Sequence, residues 1–123
     1  MSQNTYDLGQ SARIYCLFVD NDAGTAYTPS SVFCNVRTPD GDVTVYEFGV
    51  DAELVNEKLP ADVLTELLPE GIAVPTDATG QFRMYVRTIE PGVWYYRFLS
   101  DDEPDPDAAK ERTFRVLKAR AIE

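Results

Sequence analysis

The sequence predicts an all-β fold: an antiparallel β-sandwich with one short helix in an inserted loop. Short stretches that alternate apolar with polar residues recur along the chain, and clusters of Pro, Gly, Asp and Asn separate them. Strands and long helical patterns do not alternate, as the crossovers of a parallel sheet would require. The chain has 123 residues, 44% of them apolar, which is enough for a single hydrophobic core and places it outside the composition of disordered proteins.

Residues 1–10 are polar and read as an N-terminal arm, followed by a single domain over 11–118 and a tail at 119–123. The first strand is read over residues 12–20, with Ile14, Cys16 and Phe18 on one face and Arg13, Tyr15, Leu17 and Val19 on the other. Asp20-Asn21-Asp22-Ala23-Gly24 is turn chemistry, and Tyr27-Thr28-Pro29-Ser30-Ser31 reads as a further loop. Val32, Cys34 and Val36 then alternate with Phe33, Asn35 and Arg37. Pro39-Asp40-Gly41 meets the backbone demands of a tight turn, and a strand over 43–48 follows at once, so residues 32–48 read as a hairpin.

Residues 51–79 break the rhythm and read as a decorated loop. Within it, 59–68 has helical spacing: Pro60 suits a first turn, Pro69 and Gly71 stop the helix, and Val63, Leu64, Leu67 and Leu68 form an apolar stripe. That stripe serves either as cover for the core or as a contact surface. Strands resume at 81–88, where Phe82, Met84 and Val86 alternate with Arg83, Tyr85 and Arg87. After the Glu90-Pro91-Gly92 turn, the strand at 93–99 sets Trp94, Tyr96 and Phe98 opposite Val93, Tyr95 and Arg97. An acidic, proline-bearing loop spans 100–107, and the last strand, 112–117, turns Phe114 and Val116 inward.

Charge narrows the function classes. The chain carries 21 acidic and 11 basic residues, a net charge of −10. Nucleic-acid binding is driven by phosphate neutralisation and favours basic proteins, so direct contact with DNA or RNA and binding to anionic membranes are not expected. No apolar run approaches the length needed to span a bilayer. The first residues lack a basic region followed by an apolar stretch and do not read as a secretory signal, so the protein is expected to be made in the cytosol or supplied already processed.

The missing chemistry is equally informative. There is no histidine, which removes Ser-His and Cys-His catalysis and the commonest general base and zinc ligand. Cys16 and Cys34 alone do not complete a zinc site, and no Gly-rich loop resembles a nucleotide cradle. No catalytic residue, cofactor or metal is expected, and the protein is not expected to be an enzyme. The two cysteines fall at core-type strand positions and read as buried thiols, with a disulfide between them left open. Asp20, Asn21 and Asp22, or the run from Asp101 to Asp107, offer oxygen ligands suited to calcium, but neither has the spacing of a helix-loop-helix site and both read first as solvated acidic loops.

The candidate contact residues are of the types that protein interfaces enrich. Arg83 and Arg87 project from one face of a strand with Tyr85 between them, while Tyr15, Arg37, Tyr95 and Arg97 take outward positions on other strands. Leu64, Leu67 and Leu68 of the helical stripe complete the set.

Taken in order, these elements resemble a family. The order runs Gly9-Gln10-Ser11-Ala12-Arg13-Ile14, then Phe18 to Gly24, then Thr28-Pro29 to Arg37, Pro39-Asp40-Gly41 and Val45-Tyr46 to Gly49. It continues with Thr79-Gly80-Gln81-Phe82, with Pro91-Gly92-Val93-Trp94-Tyr95-Tyr96-Arg97-Phe98, and with Glu111 to Val116. This resembles the small immunoglobulin-like virion structural proteins of tailed bacteriophages, over roughly residues 8–117. The resemblance implies an immunoglobulin-like β-sandwich with Trp94 in its core. It also implies a part of the virion, assembled in the host bacterial cytoplasm and present in multiple copies. Such a part would be an accessory or decoration protein of the capsid or neck that contacts other virion proteins of capsid, portal, neck or tail. The alternative is a carbohydrate- or receptor-binding module of a tail, baseplate or fibre. Where the family has a short link, this chain carries its helix-bearing 51–79 segment.

Overall fold

A computed structural model describes residues 4–20, 22–100 and 111–118. Residues 101–107 of the acidic loop, Asn21 and the 119–123 tail lie outside the described residues. Among the described residues, ten strands and one helix follow in chain order: β1 (Thr5–Asp7), β2 (Ser11–Leu17), β3 (Val19–Asp20), β4 (Thr25–Ala26), β5 (Val32–Arg37), β6 (Val43–Glu47), β7 (Leu54–Asn56), α1 (Ala61–Leu67), β8 (Gln81–Arg87), β9 (Gly92–Ser100) and β10 (Arg112–Leu117). The all-β expectation therefore holds at the level of class.

The strands form a five-stranded sheet in the order β1-β10-β9-β5-β6, a three-stranded sheet β2-β8-β7 and a two-stranded ribbon β3-β4. All pairings are antiparallel except β1 with β10, which run parallel and make the larger sheet mixed. Alternation sends one side of each strand inward. Ile14, Cys16, Phe82 and Met84 of the smaller sheet meet Cys34, Val36, Trp94, Phe98, Phe114 and Val116 of the larger one in a single buried cluster. Trp94 is buried as expected and stacks on Phe114 with ring centroids 5.6 Å apart.

Three sequence expectations need correction. Residues 5–7 are a strand rather than a loose arm: Tyr6 is buried against Phe114, and its hydroxyl donates to the Arg13 carbonyl and accepts from the Arg13 N–H, both at 3.1 Å. The 12–20 strand is broken at Phe18, whose N–H turns to the Gly80 carbonyl (2.8 Å) and whose carbonyl takes the Tyr27 N–H (3.1 Å). The 51–79 segment is more than a loop with a helix, because β7 pairs with β8 and completes the smaller sheet.

The hairpin over 32–48 forms as expected, with Arg37 opposite Val43 and Phe33 opposite Glu47. Its Pro39-Asp40-Gly41 turn closes with the Thr38 N–H on the Asp42 carbonyl (2.9 Å). The turn after β8 packs on it, since a Cβ at Gly92 would lie 2.9 Å from the Pro39 ring, and Gly92 itself has φ +125°.

The helix is held by a second, smaller cluster. Val63 and Leu64 pack with Leu59 against Leu17 and Val19, on the side of β2–β3 that faces away from the main core. The helix ends where Leu68 turns extended ahead of Pro69. Two side-chain amides fasten the rest of the segment. Gln81, fully buried, accepts the Leu59 N–H (2.9 Å) and donates to the Asp77 carbonyl (2.6 Å). Asn56 donates to the carbonyls of Ala78 (2.8 Å) and Gln81 (2.7 Å).

Candidate functional site

The outward residues form two separate faces, one per sheet, with the core between them. On the smaller sheet, Tyr15 lies opposite Arg83, and Arg13 opposite Tyr85. The Arg83 guanidinium carbon sits 4.0 Å from the Tyr85 ring centroid and that of Arg13 sits 5.5 Å from it. Arg83 is held further by Glu57, with Nε 2.8 Å and Nη2 3.0 Å from its carboxylate oxygens. With its side chain only 14% exposed, Arg83 is committed to the molecule itself. Arg87 and Tyr85 remain exposed on this face.

On the larger sheet, Arg37 lies opposite Tyr95 and Asn35 opposite Arg97. The Arg37 guanidinium stacks over Tyr95 at 4.2 Å. Its ion pair with Glu111 is 3.7 Å long and half exposed at both ends, so it holds the arginine only weakly. Of the three arginine–tyrosine contacts, Arg13–Tyr85 and Arg37–Tyr95 join cross-strand partners, and Arg83–Tyr85 joins residues two apart on one face of β8.

The predicted residues therefore do not meet in one place. Arg83, Tyr85 and Arg87 share the smaller sheet's outer side with Tyr15, which also packs against the helix cluster. Arg37, Tyr95 and Arg97 lie on the opposite side of the molecule. Leu64 is buried beneath the helix, and Leu67 and Leu68 are half-buried against the same cluster, so the stripe is core cover. Between α1, β2 and β10 lies a cleft of about 160 Å³ whose lining includes Arg13, Tyr15, Glu66, Tyr96 and Arg112. That volume is small beside the clefts that enclose drug-sized ligands.

Sequence reasoning missed a third feature. Among the described residues, eight large apolar side chains are exposed, and four of them, Val43, Val45, Phe48 and Val50, fall within one eight-residue stretch. Val43 and Val45 are 59% and 57% exposed on β6, an edge strand of the larger sheet. Their alternation read as an ordinary strand. That the strand lies at an edge depends on partners distant in the chain.

The titratable groups offer little chemistry. Burial pushes the Cys34 thiol up to about 12, which keeps it protonated and poorly nucleophilic. Burial likewise carries Tyr96 to about 12. Glu90 is raised by desolvation and by the neighbouring Asp40 carboxylate, whose backbone N–H donates to it at 3.0 Å. Asp20 holds its own turn, accepting the N–H groups of Asp22 (3.0 Å) and Ala23 (3.1 Å). Among the described residues there is no group of three or more acidic, cysteine or histidine side chains placed to hold a metal ion. Cys16 and Cys34 are buried thiols on different sheets. Trp94, 3% exposed, is out of reach of a stacked sugar.

No family model, curated protein or solved structure matches the chain.

Proposed function

We propose that the chain is an immunoglobulin-like β-sandwich acting as a non-enzymatic structural protein of a tailed-bacteriophage virion. In this reading it is an accessory or decoration protein of the capsid or neck and works through contacts with other virion proteins. The fold part is supported by strand order. β5-β9-β10 and β2-β8-β7 correspond in order to the C-F-G and B-E-D strands of immunoglobulin domains, with β6 added beside β5. The correspondence is partial: the core tryptophan lies on the F-equivalent strand β9, and the two cysteines occupy the B- and C-equivalent strands β2 and β5.

The observation that carries the docking role is the outer side of the larger sheet. There Arg37, Tyr95 and Arg97 lie beside the exposed valines of an edge strand. Arginine and tyrosine next to exposed apolar surface is the composition of protein interfaces. The virion part rests on the ordered sequence resemblance, to which the acidic net charge adds that the protein would stay off packaged DNA.

The test is mass spectrometry of purified particles from the phage that encodes the chain. The expected result is a stoichiometric band in multiple copies per particle. Absence of the chain from washed particles would overturn the virion reading.

A further inference from the structure

The free edge of β6 has a definite hydrogen-bonding face. In an antiparallel pair, residues alternate between exchanging both backbone bonds with the partner and directing both away from it. On the β5–β6 hairpin, the Thr38 N–H bonds the Asp42 carbonyl and the Phe48 N–H bonds the Val32 carbonyl, both at 2.9 Å. The even-numbered residues of β6 are thus turned toward β5. The N–H and C=O groups of Val43, Val45 and Glu47 point outward, away from the sheet.

The last of these is capped. The Glu47 N–H donates to Asp51 Oδ2 (2.8 Å), and its carbonyl accepts the N–H groups of Val50 and Asp51. What remains open is the backbone of Val43 and Val45, the same two residues whose side chains are exposed. Among the described residues no loop covers this edge, and an open edge with exposed β-branched residues is what proteins normally blunt with lysine, proline or a bulge. None of those devices occurs in β6.

The charge of the segment that carries the edge selects the partner, Arg37, the cross-strand neighbour of Val43, being set back on β5. Residues 38–57 contain six carboxylates, Asp40, Asp42, Glu47, Asp51, Glu53 and Glu57, and no lysine or arginine. Among the described residues, only Glu57 of these six is taken up by an ion pair, the one to Arg83. Pairing β6 with β6 of a second copy would bring Asp42 and Glu47 of each chain toward those of the other. Like charges brought together this way disfavour self-pairing.

We infer that Val43 and Val45 receive an extended, lysine- or arginine-bearing segment of a partner protein as a sixth strand of the larger sheet. The edge amides and carbonyls supply the backbone bonds, the two valines supply apolar contact, and the flanking carboxylates meet the partner's cations. This inference rests on the docking role proposed above and names the chemistry of what docks.

The experiment uses the full chain, isotope-labelled for NMR, with a synthetic ten-residue peptide that alternates lysine with valine and threonine. The expected result is saturable binding that weakens in 0.5 M salt, with amide hydrogen exchange at Val43 and Val45 slowed at least tenfold. A peptide with glutamate in place of lysine is expected not to bind. Val45→Pro removes one edge donor and is expected to weaken binding at least tenfold. The double variant V43E/V45E, at exposed positions that leave the core untouched, is expected to do the same should the proline perturb folding. Failure of the lysine peptide to bind, or binding that leaves those two amides unprotected, would overturn the inference. So would concentration-dependent dimerisation that protects the same amides without peptide. A particle-incorporation assay separates this result from the broader reading. Val45→Pro that incorporates normally, while sheet-face variants do not, would remove the edge and keep the virion role. Peptide binding by a chain absent from particles would do the reverse.

Discussion

At the scale of single residues, the fold depends on a few positions where no other side chain fits. Gly80 is the clearest. It has φ +72°, and a Cβ there would lie 2.6 Å from the Phe18 carbonyl oxygen and 2.7 Å from that of Tyr27. Its N–H bonds Thr28 Oγ1 (2.9 Å), so three chain segments meet at one backbone. Gly80→Ala is expected to cost more than about 2 kcal/mol, because backbone strain and backbone clash act together. Urea unfolding measures this, and an unchanged midpoint would contradict the geometry. Gln81→Leu leaves the Leu59 N–H buried without its acceptor and is expected to cost about 1–3 kcal/mol. Its signature is faster amide exchange at Leu59.

Cys34 and Tyr96 give stability a pH dependence of fixed sign. Burial raises both groups in the folded state, Cys34 from 9.0 and Tyr96 from 10.0, each to about 12. Unfolding lets them ionise at their ordinary values, so the unfolded chain binds fewer protons in that interval. Stability is then full below about pH 9 and falls as pH rises toward 12. Denaturant midpoints at pH 8, 10 and 11 should decline in that order, and Cys34→Ala should flatten the earlier part of the decline. A flat profile to pH 11 would show that neither group is desolvated as described.

At the scale of elements, legibility tracked how local the cause was. The β5–β6 hairpin was readable because its turn chemistry and its alternation are contiguous in sequence. The helix was readable from Pro60, Pro69 and the spacing of four apolar residues. Two of the short strands, β1 and β7, were not. Thr5–Asp7 and Leu54–Asn56 have no alternation long enough to register, and both are strands because β10 and β8 offer them an edge. Tyr6 was the one local sign of the first, a large aromatic in a polar stretch. The helix is expected to behave as a satellite of the main core. Leu64→Ala should cost about 2–3 kcal/mol and speed exchange in α1 before it affects β8 or β9. Equal acceleration across all strands would mean that the two clusters are one.

At the scale of the molecule, the contact residues were legible as residue types but not as a site. Alternation correctly turned Arg37, Arg83, Tyr85, Arg87, Tyr95 and Arg97 outward. Which of them share a surface depends on the assignment of β5 and β9 to one sheet and β8 to the other, a matter of long-range pairing. Burial then separated them again, since Arg83 is spent on Glu57 and Tyr85 while Arg37 and Arg97 remain outward on the larger sheet. Charge reversal of Arg37 and Arg97 is expected to lower incorporation into particles at least tenfold with the unfolding midpoint nearly unchanged. Reversal of Arg83 is expected to lower stability itself through the broken Glu57 pair, so it is a poor probe of docking.

The proposed docking of this chain in a virion, through the outer side and open edge of its larger sheet, is open to direct test by cryo-EM reconstruction of particles that carry the chain. Repeated copies are expected, with Arg37, Tyr95 and Arg97 against a neighbouring virion protein and a basic strand of that neighbour alongside Val43 and Val45. Copies seated through the opposite sheet, with the larger sheet's outer side and the β6 edge both facing solvent, would contradict it.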